Sequence, residues 1–596
     1  MQKIKIFFKQ HYAAFIFAIL IGIVIVFPNF LFIYQAGNQY KGFNMFETDA
    51  EYYYIARIRE VYDGHYKLSN PILSAGKDLP YLQPPLPELI MGFTGKALNL
   101  NVSQTLILYR FIAPALIFLL IYFLVLSATD GDKKSAILAP LVVILAADII
   151  FSPGQIISLL QGQVTSTQFL GYTRPVNPQI SSLVFFAFLY SFWKLMQSPA
   201  RRYLYYCIAL FGLSFYVYPY TWSFIAAFLA IYGLLLLWQK QRTEFKKVIL
   251  LTLGAFILAL PYFFNVYQLL THPSYQDSVN AYGEYESHEF VFSGLLLLAA
   301  AGLVLYYWLG RQKAKNFVLF FFALVSAGFV AINQQVVTGR VLYYGHYHWY
   351  INKPLAIIIL FMVVMMVLRH LPFKRLTATI LLIVVIFVSF LNGYLVQMNS
   401  YAFYFKRNLD AQKYFPVIKW LNENASADQV VYAPGGFSYP GMASRTLSKL
   451  ILTYTPLNLY YYSETHYYLS PYPDYGLYNL FITLKLLGIE PDKSFAFLRA
   501  EPNFFKDIYH NYYKVRGLTY DDLDSVKIEN AVAKYREFYS LDWREIFSKY
   551  PFDYVVWDSV NPQANDLPFG KIAAEENIFE TVYNQDGVII YKFLHQ

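Results

Sequence analysis

Long apolar runs punctuate the chain from end to end, and no other feature restricts its folding so strongly. A helix that crosses a membrane needs about 20 mostly apolar residues, with roughly 17–25 tolerated. Runs of this kind fall near 12–35, 105–126, 136–151, 180–197, 203–219, 220–238, 247–269, 290–309, 316–334, 352–368 and 376–397. Eleven spans are therefore expected, and the chain reads as an α-helical polytopic membrane protein. Its 57% hydrophobic and 14% charged residues agree, since about a quarter of residues are charged in soluble domains. The start "MQKIKIFFKQ" has the charged front of a signal peptide, but the apolar part is long and no small-residue cleavage site follows. It is expected to be a retained first span.

The net charge of +9 has a topological meaning. Alternate connections are basic: Lys3, Lys5 and Lys9, then Lys133 and Lys134, Arg201 and Arg202, "QKQRTEFKK" (239–247), "RQKAK" (311–315) and "RHLPFKR" (369–375). The opposite short loops hold only Arg174 in 152–179, no Lys or Arg in 270–289, and Arg340 in 335–350. Positively charged loops remain cytoplasmic. The N-terminus is thus expected inside a cytoplasmic (plasma) membrane, with the first loop 36–104 and everything after about 398 outside. Because the basic residues flank spans, nucleic acid is excluded as a partner. Cys207 is the only cysteine, so no intrachain disulfide forms.

Two domains follow: 1–397 in the membrane, and an extracytoplasmic 398–596. The second breaks into strand-sized runs, "QVVYA" (429–433), "YVVWD" (554–558) and "GVIIYKF" (587–593), with helical stretches such as 478–489 between them. Such alternation predicts a mixed α/β domain.

The stretch "FETDAEYYYIARIREVYDGHY" (46–66) opens the first external loop. Apolar residues at Tyr54/Ile55, Ile58 and Val61/Tyr62 have helical spacing. An amphipathic surface helix is expected from about 49, stopping at Gly64. Thr48 and Glu51 match a capping box, in which the threonine hydroxyl accepts from the N3 amide and the glutamate answers. Arg59 and Asp63 form an i,i+4 pair. Asp49 has no duty of this kind beyond a favourable place in the first turn.

This stretch together with "YLQPPLPELIMGF" (81–93) resembles the first external loop of GT-C fold glycosyltransferases, polytopic enzymes that use polyprenyl-phosphate-linked sugars. The resemblance implies a GT-C-like membrane domain. It makes Asp49 the candidate catalytic base or metal ligand, and Glu51 a possible second carboxylate for catalysis or for a divalent cation (Mg or Mn). Arg57 matches the arginine of the pattern. A related reading is oligosaccharyltransferase, since "YPDYG" (472–476) resembles the W-W-D-Y-G motif of that family without its tryptophans. A non-catalytic membrane scaffold or glycan-binding protein is the alternative from another class.

Other external clusters supply candidate donor-phosphate ligands. In "GYTRPVNPQ" (171–179), Asn177 and Pro178 are expected to cap the next helix, which leaves Arg174 unexplained. Guanidinium offers bidentate donors to phosphate, although headgroup snorkelling is an alternative. Arg340, His346 and His348 lie in the aromatic-rich 333–354. The histidines, two apart, lack zinc-protease spacing. Asp277, Glu284, Glu286 and Glu289 make 272–290 an acidic loop. The chain has no Gly-rich phosphate loop, G-x-G-x-x-G or G-x-S-x-G. Asp148 and Lys194, near span ends, are the charges noted within the spans, so ion-coupled transport lacks support. The expected activity is transfer of a sugar from a polyprenyl-phosphate donor to an external glycan, lipid or protein acceptor.

Overall fold

Helices form where the apolar runs predict them. The computed structural model describes residues 2–48, 51–152, 154–161, 168–282, 285–310, 315–370, 375–433, 445–460, 468–471, 474–502, 504, 525–549, 551–558 and 578–594. Among these, α1 spans Gln2–Ala36, α2 Glu51–Asp63, α3 Leu86–Ala97 and α4 Val102–Ala128. The chain is a mostly helical polytopic protein with a small C-terminal sheet.

Seven described helices are long and apolar enough to cross a membrane. An eighth arises if Arg242–Leu258 and Leu260–Leu270, bent by 55°, count as one span. Gly294–Gly310 is apolar but shorter. Each of the expected intervals is largely helical, but 136–151 is divided at Ala146 between Lys133–Leu145 and Ala147–Phe151, and Lys133–Leu145 and, within 203–219, Arg202–Ser214 have only 13 residues. At 1.5 Å per residue each is about 20 Å long, short of a hydrocarbon core of about 30 Å. Lys133–Leu145 is buried along most of its length. Exposed Ile16, Ile19, Leu234, Ile257, Leu298 and Val304 suit contact with lipid rather than water.

The helix Arg375–Asp410 runs unbroken through residue 397, so the membrane and C-terminal portions share one helix. Strands β1 (Tyr285–Glu286) and β2 (Arg340–Val341) make a small antiparallel ribbon. The C-terminal sheet comprises β3 (Val430–Tyr432), β4 (Asn458–Leu459), β5 (Tyr554–Asp558), β6 (Phe579–Gln585) and β7 (Val588–Phe593), in the order β4-β3-β5-β7-β6. β3 is parallel to both β4 and β5, and β7 is antiparallel to β5 and β6. The parallel β3–β4 pair requires a crossover, which includes helix Arg445–Tyr454. Asp586 and Gly587, at φ 51° and 76°, supply the two positive φ angles that a tight β6–β7 hairpin needs.

The C-terminal unit sits on the long connection between α1 and α4. Leu459 N donates to Ile72 O at 2.9 Å, Asn44 N to the Tyr454 hydroxyl at 3.0 Å, and His65 pairs with Asp428 at 3.0 Å. This changes the expected surface helix. Tyr53, Ile55, Ile58 and Val61 of α2 are buried, because α3 and α4 cover one side and helix Arg445–Tyr454 another. The helix does stop at Gly64, whose φ is 99°, and His65 N closes the turn onto Glu60 O at 2.9 Å.

Candidate functional site

Two buried ion pairs position α2. Glu51 meets Arg110 of α4, with side-chain exposures of 0% and 3%. Its other oxygen accepts from Thr48 N and from the Thr48 hydroxyl, both at 2.8 Å. Half of the capping box is therefore present. The glutamate reaches back as expected, but the threonine hydroxyl donates to that carboxylate instead of accepting from an amide, because an anion is the stronger acceptor. Arg57 is wholly buried and donates to Glu88 of α3 at 2.7 Å and to the carbonyls of Leu68, Gln83 and Pro84 at 2.9, 3.1 and 3.2 Å. Buried charges persist only when paired and hydrogen-bonded in this way. Both arginines hold the loop together.

Arg110 does more than neutralise Glu51. It donates to Asn29 Oδ1 at 2.8 Å and to the carbonyls of Met45 and Thr173 at 3.3 Å. It thereby joins the end of the first span, the start of α2 and the loop before Arg174. Arg110 lies inside the expected span 105–126 and belongs to no motif there. A charge in that setting is itself the signal that could have singled it out.

Arg174, half-buried, lies against α2. Its guanidinium donates to the Tyr350 hydroxyl and, at 3.4 Å, to that of Tyr54, and it sits 5.3 and 5.6 Å from the Tyr54 and Tyr350 rings. Burial pushes the Tyr54 phenol up to about 12, although Arg174 pulls it down, so it remains a neutral partner. His346 joins the same cluster: its Nδ1 is 2.8 Å from the Tyr218 hydroxyl, and its ring stacks on Tyr350 at 5.6 Å. The loop of Arg174, α2 and the start of the helix Gly345–His370 thus meet at one guanidinium, with Tyr218 reaching it through His346.

The backbone beside Arg174 is strained. Val176 has φ 63°, a left-handed conformation that costs a β-branched residue on the order of 1–3 kcal/mol. Asn177 does not cap the following helix as expected. That helix begins at Gln179 without a side-chain cap, while Asn177 is buried against Tyr54, its Oδ1 without a hydrogen-bond partner among the described residues. The turn at Val176 directs Asn177 inward.

The remaining expected residues fall elsewhere. Arg340 is exposed on β2, opposite Glu286 of β1, and among the described residues no hydrogen bond or ion pair joins it to the Arg174 cluster. His348 is half-buried, with its ring against Trp349. Glu289 is exposed. Lys194 lies over the Tyr190 ring, and Asp148 pairs with Lys353 at 3.4 Å. In "YPDYG", Asp474 pairs with Lys534 at 2.5 Å and the Tyr475 hydroxyl donates to Tyr460 O at 2.8 Å, contacts internal to the C-terminal unit. Asp49, Glu284, Tyr472, Pro473 and the side chain of Asp277 lie outside the described residues.

Glu47, which the sequence reading did not single out, has a side chain only 7% exposed. Burial raises its carboxyl above the usual range, and Arg407 and Lys449 partly offset this.

Glu51 does not suit a divalent cation. Both of its oxygens are engaged and a guanidinium faces it. Among the described residues no three His, Cys, Asp or Glu side chains group as a metal site.

No protein-family profile matches the sequence, and no curated protein matches it. Among solved structures the chain is similar to the crystal structure of the Archaeoglobus fulgidus oligosaccharyltransferase in the apo form, at 13% identity over 98% of this chain and 74% of that one, with a TM-score of 0.44. A likeness of that degree carries no inference about activity, which rests on the chain's own residues.

Proposed function

We propose that the protein is a membrane glycosyltransferase. It takes a sugar from a polyprenyl-phosphate donor at the outer face of a cytoplasmic membrane and transfers it to an external acceptor. The N-terminus is cytoplasmic and the C-terminal unit extracytoplasmic, following the distribution of basic loops. The observation that carries this reading is the placement of Arg174. On the face otherwise poor in positive charge, its guanidinium is held by Tyr54 of the helix that follows the acidic segment and by Tyr350 at the start of the helix Gly345–His370.

Transfer displaces a phosphate from an anomeric carbon through an oxocarbenium-like state. Arg174, oriented by the two tyrosines, stabilises the charge that gathers on the leaving phosphate. His346, linked through Tyr350 and Tyr218, supports this cluster. Asp49 takes the proton of the acceptor hydroxyl. Glu51 positions α2 by holding Arg110 and Thr48. Arg340 and His348, outside the cluster, are assigned to early capture of the anionic donor.

The test is incubation of membranes containing the protein with a panel of radiolabelled polyprenyl-phosphate sugars, with acceptor-linked product separated by size. Transfer of a monosaccharide supports this reading. Transfer only of a preassembled glycan to peptide replaces it with oligosaccharyl transfer, and no transfer by folded protein removes the enzymatic reading.

A further inference from the structure

Side-chain amides knit the segment 287–291 to the end of the helix Lys315–Thr338, beside the β1–β2 ribbon. Asn333 Oδ1 accepts from Val291 N at 2.6 Å, and its Nδ2 donates to Val291 O at 3.0 Å. Gln335, itself buried, donates to Glu289 O at 2.9 Å, and Gln334 to Arg340 O at 2.7 Å. His288 Nδ1 donates to Val336 O at 3.1 Å, and Ser287 N to Gly339 O at 3.1 Å. Water would satisfy these backbone groups on an aqueous loop. Lipid offers no partner, so backbone next to hydrocarbon must be satisfied by protein.

The side chains that this network leaves outside are apolar. Phe290 is 66% exposed, Phe292 70% and Val337 88%, with Val336 beside Val337 at 41%. Single exposed apolar side chains are ordinary, but several on one knitted element mark an interaction surface. This surface continues one that faces lipid. Val337 lies about two turns beyond the exposed Val330 on one face of the helix Lys315–Thr338. Phe292 closely precedes the apolar helix Gly294–Gly310, whose Leu297 and Leu298 are exposed. Glu286, Glu289 and Arg340 are exposed nearby, the arrangement of an element whose apolar side chains enter a bilayer while its charges stay among headgroups.

We propose that this element is an interfacial anchor, with Phe290, Phe292, Val336 and Val337 dipping into the leaflet that is outer by the proposed topology. The amides of Asn333, Gln334 and Gln335 satisfy the backbone withdrawn from water there. The partner is the lipid surface itself. The acidic loop 272–290 therefore ends at the membrane rather than in solution, and β2 holds the exposed Arg340 at headgroup level. That placement suits the capture of an anionic lipid-linked donor, but the anchor does not depend on the transferase reading.

The full-length protein in lipid nanodiscs is labelled with a nitroxide at one introduced cysteine, the native Cys207 being buried. Phe292→Cys and Val337→Cys report on the anchor. Leu298→Cys serves as the lipid reference, and Gln585→Cys, exposed in the C-terminal sheet, as the aqueous one. Electron paramagnetic resonance measures relaxation of each label by oxygen, which concentrates in lipid, and by a water-soluble nickel chelate. The oxygen-to-nickel ratio at 292 and 337 should rank with Leu298→Cys and well above Gln585→Cys. An aqueous ratio at either position in folded protein overturns the anchor. Shielding from both reagents also overturns it, because protein, such as a second copy of the chain, then covers the surface. Unfolding midpoints are compared for all variants, and Phe290→Cys replaces either reporter that does not fold. A lipid-like ratio without sugar transfer keeps the anchor and removes the transferase reading. Sugar transfer with an aqueous ratio does the reverse.

Discussion

Arg110 of α4 closes on Glu51 at the first residue of α2, and both side chains are buried. The pair sets where the acidic segment after the first span meets the membrane domain. Removing one partner strands the other charge, so Arg110→Met should destabilise the protein by about 3–5 kcal/mol. Glu51→Gln combined with Arg110→Met should cost less than the two changes summed, because neither then leaves a buried unpaired ion. Thermal unfolding of the purified protein measures both. Equal melting of Arg110→Met and wild type would refute the structural role.

Asp49 is predicted to act in the reaction. Asp49→Asn keeps the size of the side chain and removes the basic carboxylate, and should lower transfer at least about 10²-fold with little change in melting. Unimpaired turnover with the proper donor would return Asp49 to a helix-start role.

For Arg174, replacement by lysine keeps the charge and loses the planar fork. Transfer should fall, and Arg174→Ala should fall further, to about 10²-fold or more below wild type. Tyr350→Phe should show a smaller loss, since it only orients the guanidinium. Steady-state rates at varied donor concentration separate these cases. Identical rates for Arg174→Ala and wild type would exclude a contact with the donor phosphate.

Glu60 gives a pH signature. Burial pushes its carboxyl up to about 7, against the pull of Lys77 at 2.5 Å. Between its ordinary value of 4.5 and about 7 the folded protein binds more protons than the unfolded chain. Stability therefore falls as pH rises through this window and levels off above it. Glu60→Gln should remove this part of the slope. Unfolding midpoints of wild type and variant from pH 4 to 8 provide the comparison, and parallel profiles would count against the shift.

An alkaline phosphatase fused at Gln596 should be active, because it folds only outside the cytoplasm and the C-terminal unit is proposed to lie there. Activity instead from a cytoplasm-only reporter at the same position would invert the proposed topology.

What the sequence determined by itself is local. Apolar periodicity, read within one element, located the helices, the strand Tyr554–Asp558 and the stop of α2 at Gly64. Thr48 and Glu51, three residues apart, were legible as a pair for the same reason. The tertiary structure decided what lies across the chain. Glu51 finds Arg110 at a separation of 59 residues, and Arg174 finds Tyr54 and Tyr350 at separations of 120 and 176. No pattern within a helical turn encodes those partners, since they depend on which segments pack together. The same limit explains the errors. Asn177 followed by Pro178 satisfies a capping pattern, but the left-handed turn at Val176 sends the amide inward. The run 136–151 reads as one apolar stretch, but the packed chain divides it at Ala146 into the helices Lys133–Leu145 and Ala147–Phe151. A burial pattern records that a surface is hidden, and only the packed chain specifies whether lipid or protein hides it.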